Sequence, residues 1–166
     1  MTGKKKCLIA GLLAGLMLAM TGCGNSEPVT EDMFAEVLDS HDFVVKNQTG
    51  LITGDVDFDL VYLASPAEGE SEEGYQSQYQ FEYYHFTDED AASSTYEELD
   101  DELVMSYEEA DGYVTKDAHT GKTDKRTVET DEEYYVVSRI QDTIVIGIAP
   151  ADEKDAAKEI LDELGY

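Results

Sequence analysis

The chain has 166 residues, with 38 Asp and Glu against 11 Lys and Arg, and a net charge of −27. That balance excludes nucleic-acid binding, whose affinity comes from neutralising phosphates, and it excludes adhesion to anionic lipid or wall polymer. It favours solubility and the attraction of cations or basic partners, and most of the acids read as a hydrated coat.

The N-terminal segment carries Lys4, Lys5 and Lys6, then an apolar run of 13 residues from Leu8 to Met20. A basic start, a short apolar run and a small-residue exit are the parts of a secretory signal. A membrane span needs about 20 residues, so this run is too short to be a stable anchor. The exit, Leu18 to Cys23, resembles the lipobox of bacterial lipoproteins, with Met20 where leucine is most usual. The resemblance covers only about the first 25 residues. In that family the cysteine thiol receives diacylglycerol and a peptidase cuts just before it. It implies that residues 1–22 are a removed signal peptide and that Cys23 is the lipidation site. It further implies that the membrane, reached through that anchor, is a partner, and that the remaining chain is extracytoplasmic. Cys7 falls inside the signal, so a processed chain keeps one cysteine and forms no internal disulfide. Beyond the lipobox the chain is similar in general style to small lipoproteins of Gram-positive anaerobes, and no functional residue carries over from that likeness.

Residues 23–29 read as a lipidated cysteine and a short tether, and 30–166 as one acidic domain. Thr30 is a good N-cap for a helix with Glu31 and Asp32 in its first turn. Met33, Phe34, Val37, Leu38 and His41 form its apolar stripe. A short strand over Phe43–Val45 precedes a turn at Asn47–Gly50. Alternation of acid and apolar residues predicts a strand over Asp55–Leu63, and 65–74 reads as an exposed loop. A second alternating stretch, Tyr75–Phe86, puts Tyr79, Phe81, Tyr83 and His85 on one face. Thr87 is then expected to cap a helix from Asp88 to about Met105, buried through Ala92, Tyr96, Leu99 and Leu103. Residues 107–133 are the least readable, with short strands at Tyr113–Thr115 and Arg126–Glu129 about a turn at His119–Lys122.

The clearest hairpin spans Tyr134–Ile140 and Thr143–Ala149. Its second strand is apolar on both faces, which marks a central strand. Pro150 opens the last helix, Ala151–Leu164, and Gly165 stops it. Sliding the chain by 65 positions lays the second strand–helix stretch on the last one, with Tyr79, Phe81 and Tyr83 on Ile144, Ile146 and Ile148. The expected fold is α+β: a mostly antiparallel sheet with helices packed on one face, built as two β-β-α units after an N-terminal helix.

Sequence signatures of catalysis are weak. There is no Gly-x-Ser-x-Gly elbow and no His-Glu-x-x-His. Gly121-Lys122-Thr123 lacks the earlier glycine of a phosphate-binding loop, because position 116 is lysine. His41, His85 and His119 lie on three different elements, so no metal site is assigned to them. Asp55, Asp57 and Asp59 have the spacing that opens an EF-hand loop. Leu60 and Pro66 stand where its glycine and glutamate belong, so no metal ligand is assigned there either. No cofactor and no catalytic residue is expected. Tyr75, Tyr79, Tyr83, Tyr84, Tyr134 and Tyr135 cluster on the strands as a candidate partner surface. The function read from sequence is a membrane-tethered, non-catalytic binding or protein-interaction domain. Its partner would be an envelope protein or a small solute. The alternatives are an envelope hydrolase working through carboxylates, or an acidic inhibitor- or immunity-like module.

Overall fold

The computed structural model describes residues 27–52, 56–67 and 79–166. Asp55, Tyr75 and Cys23, and with them the signal and lipidation site, lie outside those residues. Helix α1 spans Glu31–Ser40 and is capped, as expected, by Thr30 Oγ1, which accepts from the Met33 amide at 3.3 Å. Strands β1 (Phe43–Asn47), β2 (Phe58–Pro66) and β3 (Gln80–Phe86) follow, then helix α2 (Glu89–Tyr107). Strands β4 (Val114–Thr120), β5 (Thr123–Glu129), β6 (Glu133–Ile140) and β7 (Thr143–Pro150) lead to helix α3 (Lys154–Leu164). Several boundaries differ from expectation. β4 and β5 are each seven residues long and run into the expected turn at His119–Lys122. β2 extends to Pro66, and α3 starts at Lys154 after a 3-10 turn. The cap of α2 is Asp88, whose carboxylate accepts from the Ala91 amide at 2.9 Å, not Thr87. An ionised cap gains from the helix dipole as well as from the hydrogen bond, which a threonine does not. Val29, read as tether, is only 3% exposed and belongs to the core.

All seven strands form one antiparallel sheet in the order β1-β2-β3-β7-β6-β5-β4. The strand that is apolar on both sides, β7, is the fourth of the seven and so central. The α+β class and the sheet are as read from sequence. The placement of the helices on a single face is corrected. Val145 and Ala149 join a core with Phe34 and Leu38 of α1 and Ile160, Leu161 and Leu164 of α3. Ile144 and Ile146 point the other way, into a second core with Ala92, Tyr96 and Leu103 of α2. A strand alternates its side chains, so these cores lie on opposite faces. The 65-residue relation does not describe this architecture. Phe81 and Tyr83 face α1 and α3, whereas Ile144 and Ile146, onto which the shift lays that strand's aromatics, face α2.

Gly147 sits where β7 passes close to side chains of both neighbouring strands. A Cβ there would stand 3.0 Å from both Phe81 Cε1 and Val136 Cγ1. Phe81 is itself held by edge contact with the Phe43 ring, at 5.4 Å between centroids. We therefore expect Gly147→Ala to destabilise the fold by about 1–2 kcal/mol through overpacking, read as a lower urea midpoint at unchanged slope.

Candidate functional site

Register brings polar residues together on the α2 side of β4, β5 and β6. Asp124 pairs with His119 across one ladder and with Arg139 across the other, so one row of side chains crosses three strands. Asp124 and Arg139 are buried, at 5% and 4% exposure. One carboxylate oxygen accepts from Arg139 Nε at 2.6 Å and Nη2 at 2.5 Å. The other oxygen bonds Nδ1 of the exposed His119 ring. Arg139 Nη1 donates to the Gln141 carbonyl at 3.0 Å, so all three guanidinium nitrogens are engaged. In the next row, Arg126 lies opposite Asp117 and reaches up to α2, where it grips Asp100 in a fork at 2.5 and 2.9 Å. Those bonds hold the guanidinium protonated well above its ordinary range. Beneath this pair Tyr96 is buried, and its hydroxyl has no hydrogen-bond partner among the described residues.

A carboxylate-oriented imidazole is half of a general-base arrangement. Among the described residues no hydroxyl or thiol hydrogen-bonds to His119, and no group of three or more His, Cys, Asp or Glu is arranged to hold a metal. The array instead clamps α2 to the outer strands. Beside it runs an open groove of about 420 Å³, walled by Asp100, Asp101, Val104 and Met105 and floored by Thr115 and Arg126. A smaller cavity of about 170 Å³ opens toward the end of α3, with Thr123, Lys125, Ser138 and Tyr166 in its wall. Burial lowers the Lys125 amine below its ordinary value.

The tyrosines do not make one surface. Tyr83 and Tyr134 are 1% and 2% exposed in the core beneath α1 and α3, and Tyr79 packs against that core. Tyr84 and Tyr135 pack on the opposite side, against the α2 core. The candidate partner surface is therefore corrected to two separate interior layers, because residues of opposite parity on one strand face opposite ways. Tyr83 donates to the Val29 carbonyl at 3.2 Å, and Tyr84 donates to Glu82 at 2.5 Å. His41 reaches Glu163 of α3 at 3.2 Å, and His85 reaches Asp59 at 2.6 Å, so the three histidines stand apart, each against a different carboxylate. The groove, not the tyrosines, is the recess that sequence reasoning missed. Only the exposed Met105 hinted at it.

The sequence matches no protein-family model, and no curated protein matches it. Among solved structures, a GTP binding regulator from Thermotoga maritima is 14% identical, with a TM-score of 0.44 over 80% of this chain and 82% of that one. A likeness at that level says nothing of what this chain binds.

Two outcomes follow from this geometry. Arg139→Met strips the buried Asp124 carboxylate of its guanidinium, leaving only the exposed His119 beside it, and should cost about 3–5 kcal/mol in urea unfolding. The double change Asp124→Leu with Arg139→Met should recover most of that loss. Burial also raises the phenols of Tyr79, Tyr134, Tyr135 and Tyr166 to about 12 in the fold. The unfolded chain ionises near 10, so their contribution is complete below pH 10 and is lost as pH climbs toward 12. Tyrosinate absorbance should accordingly rise steeply and together with loss of the folded circular dichroism, not as a shallow titration of exposed phenols.

Proposed function

We propose that this chain is a lipid-anchored, extracytoplasmic domain that works by binding, with Cys23 as the acylated residue. The observation that carries the reading is the succession of Lys4–Lys6, the apolar run Leu8–Met20 and the small residues that end at Cys23. Val29 is the first core residue among those described, and the five residues between it and Cys23, six Cα–Cα steps, would reach at most about 20 Å. The domain then works close to the bilayer surface. Its partner is an envelope protein or a small solute, since the charge repels polyanions. The acid-rich groove between α2 and β4 is the recess best suited to such contact. A hydrolase reading has less support, because the carboxylates of Asp100 and Asp124 are each engaged by a guanidinium.

The test is metabolic labelling with an alkynyl fatty acid, followed by membrane fractionation. The wild-type chain should carry label and sediment with membranes at the mass of a processed protein. Cys23→Ser should lose the label and the processed mass. Retention of Cys23→Ser in the membrane fraction at its normal mature mass would overturn the assignment.

A further inference from the structure

We propose that the outer edge of β4 receives an extended, cationic stretch of another polypeptide, which adds to the sheet as an eighth strand beside the α2 groove. The proposal deepens the binding-domain reading by naming the surface and the chemistry of the partner.

The first ground is the state of that edge. Among the described residues β4 ends the sheet and pairs with β5 alone. All seven of its residues are exposed, and its register runs without a shift from Val114↔Glu129 to Thr120↔Thr123. It holds no proline and no bulge, so of the usual devices against strand addition it carries only edge charge, in Lys116, Asp117 and His119. At about 3.4 Å per residue it offers roughly 24 Å of straight main chain. The opposite edge, β1, is five residues long, and its neighbour β2 is irregular between Phe58 and Leu60.

The second ground is what alternate side chains of an added strand would meet. Those on the α2 side enter the groove, whose wall offers apolar surface from Val104 and Met105, the latter 68% exposed. Carboxylates flank that surface. Asp101 is exposed, and Asp117 on β4 has only a distant contact with Arg126, at 3.7 Å. Apolar surface with acids beside it suits a lysine or arginine, whose methylene stem lies on the one while its charge meets the other. Strand addition supplies affinity through the main chain and selectivity through alternate side chains.

The third ground is charge. The net −27 steers a basic segment inward and repels a second copy of this chain. Self-pairing of β4 about its midpoint would also set Asp117 opposite Asp117, and like charges directly opposed on a ladder are destabilising.

The experiment uses the full chain in nonionic detergent and a fluorescent, end-blocked peptide alternating lysine with threonine. Binding should be seen by anisotropy, weaken as salt rises, and slow hydrogen exchange at β4 amides. A version N-methylated at alternate amides keeps the charge but cannot pair, and should bind about tenfold more weakly. The Asp101→Lys, Asp117→Lys double variant should lose affinity to a similar extent, with Asp101→Asn, Asp117→Asn as the milder pair if the first fails to fold. No binding by the parent peptide, equal binding of its methylated form, equal binding by the Asn pair, or protection at strands other than β4 overturns the proposal. None of these depends on acylation, so failure of the anchor assignment would register separately in the labelling of Cys23.

Discussion

The constraint on which the rest of the structure depends is that β7 is buried on both faces. Ile144, Val145 and Ala149 are fully shielded and Ile146 nearly so, while successive residues point to opposite sides. Covering only one side would leave either the Ile144/Ile146 stripe or the Val145/Ala149 stripe in water, at about 1.5–3 kcal/mol for each large side chain. Two layers of helix are therefore required, and the chain supplies them by sending α2 to one face and α1 with α3 to the other. Gly147 belongs to the same constraint. With Phe81 and Val136 crossing there, the central strand has no room for a side chain. The C-terminal residue closes the first core: Tyr166 hydrogen-bonds Thr143 at the start of β7, and burial holds its phenol neutral.

With acids outnumbering bases 38 to 11, cations are the scarce resource, and their placement shows which contacts the fold needs. Arg126 ties β5 to α2 through Asp100, and Lys122 in the β4–β5 turn reaches Glu89 in the first turn of the same helix. Lys154 and Lys158 converge on Glu129 and tie α3 to the other side of β5, holding that carboxyl below its ordinary range. Thus β5, one strand in from the edge, is held by both layers. The pairs differ in weight. Lys122 with Glu89 is exposed and contributes well under 1 kcal/mol. Asp124 with Arg139 is dry, so its value lies less in net stability than in the penalty of mispairing β5 against β6, which would strand a buried charge.

The elements that could be read from sequence are those in which one physical signal dominates. Thr143–Ala149 announces a central strand because Ile and Val alternate without a polar face, and α1 announces itself through Thr30 and the acids of its first turn. β4 was hard to read for the converse reason. Its residues, Val114 to Thr120, are all exposed, so no hydrophobic period exists, and it is a strand only because β5 pairs with it across Gly121 at a φ of 65°. The tyrosines misled because their parity could be read while the covering of each face could not. Tyr83 and Tyr84 had to point opposite ways, but nothing local says that helices close both sides. The Asp124–Arg139–His119 row was invisible for a third reason. It depends on the register of two ladders, and a shift of one residue in either would turn Asp124 to the other face.

The same absence of hydrophobic period that hides β4 from sequence analysis lets it remain open. An apolar edge of that length would invite indiscriminate pairing, whereas Lys116, Asp117 and His119 make the strand soluble. Charge on the edge does not fill its main-chain hydrogen bonds, however. It only sets which chains approach closely enough to use them. At a Debye length of about 8 Å, the repulsion between two acidic copies acts only near contact, where the strands would have to align. A basic segment experiences attraction over that same interval, and the acids beside β4 then become partners for it. In a chain this acidic, discrimination at the open edge is electrostatic first and steric second, and it follows from composition as much as from shape.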